Sequence, residues 1–297
     1  MKTLKSILVI TIILFVTVTT QAQKTDFPKL TGPYLGQKPP GMKPELFAPG
    51  IISLPDYFEH SAAIFSPDGN EVYWSGKPNG ARYFEINFMK MINGRWTEPQ
   101  VASFSQNPDV NFHQPSFSPD GNKLYFDTGS DIWVVERQGE GWAESSKISP
   151  KINSAGSGAS LHLQTITENG SAYFRKYNPN EQFGKKAIIY ISRKIKGNYT
   201  EPEILDENIN SADEEEMAVA VAPDESYMII EANKDNRTDE LFISYKMKNG
   251  SWSERIKLPL GPGRFPSISP DGKYLFFMTR DGIYWVSAKF IEELRPM

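Results

Sequence analysis

The chain has 297 residues, 32 Lys and Arg against 36 Asp and Glu, a net charge of −4, three histidines and no cysteine. The missing cysteine excludes disulfides, thiolate catalysis, Cys-ligated zinc and a lipid attached through a cleavage-site cysteine. An acidic balance without a basic run argues against nucleic acid or an anionic membrane surface as partner.

Taken in chain order, residues 1–22 read as a signal peptide. Lys2 and Lys5 give a positive start, residues 7–18 are apolar apart from Thr11 and Thr17, and Thr20-Gln21-Ala22 supplies small residues for cleavage after Ala22. The apolar run is shorter than the roughly 20 residues a membrane anchor needs. The expected mature protein is periplasmic or secreted, monomeric, and not inserted in the membrane. Residues 23–43 read as an extended Pro/Gly-rich leader, and residues 44–297 as one domain.

That domain repeats itself. Ser66-Pro67-Asp68-Gly69 returns as Ser118-Pro119-Asp120-Gly121 and Ser269-Pro270-Asp271-Gly272, with degenerate copies at Thr167-Glu168-Asn169-Gly170 and Ala222-Pro223-Asp224-Glu225. A spacing of about 50 residues fits one propeller blade per copy. Each copy is a turn in which Pro presets φ, Asp bonds the backbone and Gly takes positive φ. A short strand precedes each turn. An aromatic strand follows it, as in Val72-Tyr73-Trp74, Leu124-Tyr125-Phe126 and Tyr274-Leu275-Phe276, and then a third strand.

A second marker opens a fourth, outer strand at Gly94-Arg95-Trp96, Gly141-Trp142, Gly197-Asn198-Tyr199 and Gly250-Ser251-Trp252, its aromatic packed between blades. The fifth blade ends on its third strand, near Lys289-Phe290, without that marker. Its outer strand is expected from residues 44–54, where Lys43-Pro44-Glu45-Leu46-Phe47 resembles Glu201-Pro202-Glu203-Ile204-Leu205. The expectation is an all-β, five-bladed β-propeller with four-stranded blades, its ring closed by an N-terminal strand that leaves no open sheet edge.

The three intact Ser-Pro-Asp-Gly copies followed by aromatic strands resemble the WD40-like repeat of TolB-type periplasmic proteins, over residues 44–290. The stretch from Gly32-Pro33-Tyr34 to Pro39-Pro40-Gly41 is similar to the leader of exported bacterial proteins of that group. The resemblance implies a propeller. It does not transfer TolB's partner role, because TolB carries an additional N-terminal domain and more blades. Peptidases with such propellers carry a separate hydrolase domain, for which no residues remain.

Propellers carry function at the mouth of the central channel, where first strands begin. All three histidines fall at those starts: His60, His113 and His162. His113, His162 and Arg264 share one register, five residues before the turn, and His60 is one residue earlier. With Gln114 and Glu216 they form the candidate binding set. Neutral imidazole suits zinc or manganese, so His113 and His162 are the candidate ligands of a divalent metal, helped by Gln114 or Glu216. No other cofactor is expected. The offset of His60 counts against its joining them, since a strand turns its side chain over at every step. Arg264 suits a carboxylate held in a bidentate fork. The competing reading is that these side chains only satisfy strand ends.

The function expected is a binding or scaffold module that presents one face or channel mouth to a protein or glycan. The alternative is a carbohydrate-active enzyme, a metal-assisted lyase or hydrolase, because the histidines with Arg264 resemble the propeller lyases that cleave oligogalacturonides. The acidic run 213–216 reads as a solvated loop. Gly156-Ser157-Gly158-Ala159-Ser160 is not a nucleophile elbow, and there is no phosphate loop or dinucleotide fingerprint.

Overall fold

The aromatic and β-branched runs pair in succession into five antiparallel blade sheets, with a two-stranded ribbon of Lys194–Ile195 and Asn198–Tyr199 after the third strand of blade 3, in the computed structural model, which describes residues 27–155, 158–178, 180, 186–234 and 238–296. Blade 1 contains Tyr57–Glu59 and Ile64–Phe65 as a broken first strand, then Glu71–Pro78, Glu85–Ile92 and the outer pieces Arg95–Trp96 and Gln100–Val101. Blade 2 runs His113–Phe117, Lys123–Asp127, Ile132–Gln138, with Gly141–Trp142 and Ser146–Lys147 outside. Blade 3 runs Ser160–Ile166, Ala172–Tyr177, Ala187–Ser192 and Glu203–Ile204. Blade 4 runs Glu215–Val221, Tyr227–Asn233, Asp239–Tyr245 and Ile256–Pro262. Blade 5 takes Arg264–Ile268, Tyr274–Thr279 and Gly282–Ser287 from the end of the chain and Glu45–Leu46 from its beginning.

That borrowed strand closes the ring. Glu45 pairs with Trp285 and Leu46 with Tyr284, antiparallel. The Phe47 N–H donates to the Ile283 carbonyl at 2.7 Å, and the Ile283 N–H to Ser53 Oγ at 3.0 Å. The strand is shorter than the span 44–54, yet the rest of that span stays at the seam: Phe47 and Ile52 are buried there with Phe65, Phe276 and Trp285. Gly282 permits this approach, since a Cβ there would lie 2.7 Å from the Ser53 side chain.

The supposed leader also packs on this seam from residue 30 onward. Leu30 and Gly32 carbonyls accept the backbone and indole N–H of Trp96, at 3.0 and 2.8 Å. Leu35 is buried, and Tyr34 lies among Phe65, Tyr274, Phe276 and Trp285. At the other end, the third strand of blade 5 stops at Ser287, short of Lys289-Phe290, and Phe290–Glu293 forms a helical turn. Phe290 and Ile291 are buried against blade 4, where the Tyr245 hydroxyl donates to the Ile291 carbonyl. Residues 1–22, read as a signal peptide, lie outside the described residues. Among the described residues no helix is long and apolar enough to cross a membrane.

Hydrogen bonds tie every pair of neighbouring blades. Ser75 Oγ donates to the Phe112 carbonyl, and Gln164 Nε2 to Gln114 Oε1. The Val219 N–H donates to Gln164 Oε1, and the Phe265 N–H to Glu231 Oε2. Ser267 Oγ donates to the Ala63 carbonyl. Asp68 and Asp120 accept from Ser66 and Ser118 and from the N–H and side chain of Asn70 and Asn122, so these two turns are satisfied internally. The outer-strand aromatics Trp96, Tyr199 and Trp252 are buried, and Trp142 is half-buried under Arg137.

Candidate functional site

A repeated backbone device aims the first-strand starts. His113-Gln114-Pro115 and Arg264-Phe265-Pro266 occupy equivalent positions, and both pairings with the second strand shift register there. Gln114 and Phe265 take positive φ, 47° and 48°. The following proline needs no ladder partner, so the strand bulges and re-aims the residue before the bulge. His113 and Arg264 are those residues.

His113 and His162 meet a carboxylate that belongs to the second strand of blade 2. Asp127 Oδ1 lies 3.3 Å from His113 Nδ1 and 3.1 Å from His162 Nδ1. One ligand atom from each of the three residues falls within 4.8 Å of the others, and all three residues are buried. Asp127 Oδ1 thus bridges the two imidazoles, and Asp127 Oδ2 is buried without a partner. Burial pushes the Asp127 carboxyl up, but the imidazoles of His162 and His113 outweigh it and hold the group well below the usual carboxylate range. Burial lowers His162, and the Arg175 charge adds to this against the pull of Asp127. The cluster therefore sets an ionised carboxylate beside a His162 imidazole biased toward neutrality, the state in which that ring can donate a lone pair.

His60 reaches the same place in spite of its offset. Its ring packs 4.7 Å from that of His113, between Phe84 at 4.6 Å and Phe265 at 4.9 Å. Burial, and then the neighbouring histidines, lower it to about 3. Glu59 beside it is buried, with Oε1 unpartnered, and burial pushes its carboxyl up to about 7.

On the blade 4–5 side, Arg264 Nε lies 3.1 Å from Asp239 Oδ2 and 3.5 Å from Glu231 Oε1. Glu231 is fully buried, and burial raises it to about 7 against the opposing charge of Arg264 and the Phe265 N–H. Gln114 is engaged between blades, accepting from Gln164. Glu216 turns elsewhere: its Oε1 meets Arg255 at 3.1 Å and accepts the Ser211 N–H. Counted from the turn, blade 4 offers Met217 at the register of His113, His162 and Arg264, and Glu216 sits one step off it. Glu215 and Glu216 are strand residues of blade 4 rather than loop, with Arg255 supplying the cation that lets Glu216 be buried.

The sequence reading missed three residues, all in second strands: Asp127 at the end of its strand, and Arg175 and Glu231 two residues before the end of theirs. A signal for them existed. Each is a charged residue directly after an apolar run, Leu124-Tyr125-Phe126, Ala172-Tyr173-Phe174 or Met228-Ile229-Ile230, at nearly the same distance from the turn. Arg175 is cross-strand partner of His162, and Ala218 of Glu231.

No family model matches the chain, and no curated protein matches it. Solved structures do. TolB from Acinetobacter baumannii is 16% identical with a TM-score of 0.47, over 77% of this chain and 54% of that one. Hydrazine synthase from Kuenenia stuttgartiensis is 15% identical with a TM-score of 0.48, over 78% and 77%. Oligogalacturonate lyase from Vibrio parahaemolyticus is 14% identical with a TM-score of 0.45, over 78% and 66%. The chain thus spans about half the length of that TolB.

Proposed function

We propose that the protein is an exported binding module that presents its histidine-lined channel mouth to a protein or glycan, and that a divalent transition metal at His113, Asp127 and His162 anchors the ligand. The observation that carries this is the convergence of one ligand atom each from His113, Asp127 and His162 within 4.8 Å, with Asp127 Oδ2 buried and unpartnered. Buried polar atoms are ordinarily satisfied, and a site with several orphans is built for something else to satisfy them. Two imidazoles and one carboxylate are a donor set suited to zinc, manganese or iron. Such a metal would offer its remaining coordination positions to oxygens of the ligand. His60, Phe84 and Phe265 give the mouth an aromatic wall against which a ligand can pack.

The test is metal analysis of the purified mature chain together with a glycan and peptide array. His113→Ala with His162→Ala should abolish metal uptake and ligand retention while leaving a folded propeller. A double variant that keeps its metal, or that unfolds, counts against the reading.

A second reading is a carbohydrate-active enzyme. What favours it is Glu231, a buried carboxyl held at about 7 beside Arg264, in the range that suits a general acid or base. Turnover of an oligosaccharide that disappears in Glu231→Gln while binding persists would select it.

A further inference from the structure

Arg175 differs from the other arginines with buried or half-buried side chains. Arg137 forks onto Glu71 at 3.0 and 2.8 Å, Arg255 meets Glu214 and Glu216, Arg264 meets Asp239, and Arg295 meets Glu292. Arg175 is more deeply buried than these, 6% exposed, and has no carboxylate at hydrogen-bond distance among the described residues. Its Nη1 lies 3.8 Å from the Met217 sulfur, its guanidinium 5.5 Å from the Tyr177 ring, and its Nε has no partner. A buried guanidinium with unmet donors is costly to hold. The carboxylates nearest in charge are turned away from it, Asp127 to the histidines and Glu231 to the Phe265 N–H and Arg264.

The position adjoins the histidine cluster, where the Arg175 charge acts on His162. Arg175 stands opposite His162 on the neighbouring strand and reaches to Met217, the blade 4 residue at the channel register. Met217 and Tyr177 flank it with weakly polar surface, where a charge pair is stronger than in water. Arg264, the arginine singled out from sequence, is already engaged by Asp239 and Glu231.

We infer that Arg175 selects a carboxylate-bearing ligand, taking its two oxygens in the guanidinium fork beside the His113–Asp127–His162 cluster. The inference rests on the mouth being a ligand site and names the chemistry it recognises. A planar fork with donors to spare matches a carboxylate better than a neutral hydroxyl. The carboxylate can belong to a sugar acid or to a peptide C-terminus.

The test uses the full mature chain, metal-free, with two acids and their uncharged counterparts. D-glucuronate is compared with its methyl ester, and N-acetylglycine with its amide, by calorimetry and by thermal shift. At least one acid should bind, about tenfold or more tighter than its uncharged counterpart. Which acid binds identifies the source. Arg175→Gln should erase that preference and, without ligand, melt no lower than the wild type, because it removes an unpaired buried charge. Neither acid binding, equal binding of acid and counterpart, or a preference that survives in Arg175→Gln would each overturn the inference. Should that variant fail to fold, Arg175→Lys carries the test: it keeps the charge without the fork and should weaken the acid about tenfold. Unaltered acid binding by Arg175→Lys would equally overturn the assignment. Metal uptake on the same preparation before chelation reports on the mouth separately, so the mouth can stand with Arg175 removed from it.

Discussion

Glu59 and Glu231 are buried carboxyls in which burial outweighs the hydrogen bonds and charges that favour ionisation, raising both from 4.5 to about 7. Below about pH 4.5 the proton is bound in both folded and unfolded chains. Between about 4.5 and 7 the unfolded chain ionises first, so each group lowers stability as pH rises, and the loss levels off above about 7. The full effect is on the order of 3 kcal/mol per group. Glu59→Gln should therefore gain stability relative to the wild type between pH 4 and 8, measured as the difference in melting temperature across a pH series. A difference that stays flat with pH would show that Glu59 is ionised in the fold. At this scale the sequence was half legible. Three histidines at strand starts are conspicuous because histidine is rare here. Asp127, Arg175 and Glu231 were not, because a charge in the last residues of a strand usually faces solvent, and nothing local says that a channel lies there. Glu216 illustrates the opposite failure, since one step along a strand sent it to Arg255.

The five-fold repeat made the elements easier to read than the residues. Turn chemistry recurs, and each aromatic strand must bury its side chains against the next blade, so blade number and closure follow from repetition itself. What the pattern hid are pieces that occur once. The segment from Leu30 to Gln37 reads as Pro/Gly leader, but Tyr34 and Leu35 take positive φ, 52° and 59°, which folds them onto the seam between blades 5 and 1. Phe290–Glu293 turned helical because Phe290 and Ile291 both find cover under blade 4. The seam gives the element-scale prediction. Phe47 is fully buried between Phe65, Phe276 and Trp285, so Phe47→Ala should cost about 3–5 kcal/mol. A chain begun at residue 55 loses the closing strand as well and should melt lower still. If it melts like the full mature chain, blade 5 does not depend on its borrowed strand.

At the scale of the whole molecule the two ends of the channel are built for different work. The repeated turns at one end are hydrogen-bonded within themselves or to one another: Asp120 takes bonds from Ser118 and Asn122, Glu225 takes them from Thr167 and Asn169, and Gly121 sits close enough that its Cβ would contact Pro67 of the neighbouring turn at 3.3 Å. The other end gathers unmet groups, Asp127 Oδ2, His162 Nδ1, His60 Nδ1 and Arg175 Nε. If the mouth is the binding site proposed above, a fold that satisfies these turns while its mouth gathers open groups separates stability from binding along its axis. Two substitutions test that separation. Asp120→Ala removes hydrogen bonds to a charged acceptor and should cost about 1–3 kcal/mol while leaving metal uptake and ligand affinity unchanged. Asp127→Asn keeps the shape of the side chain and removes the anion between the two imidazoles. It should abolish metal uptake, with a melting temperature that moves far less than that of Asp120→Ala. The measurements are denaturant unfolding and metal content on the same preparations. An Asp120→Ala protein that loses its metal, or an Asp127→Asn protein that collapses, would mean the ends are coupled through the blades and that binding cannot be altered without disturbing the ring.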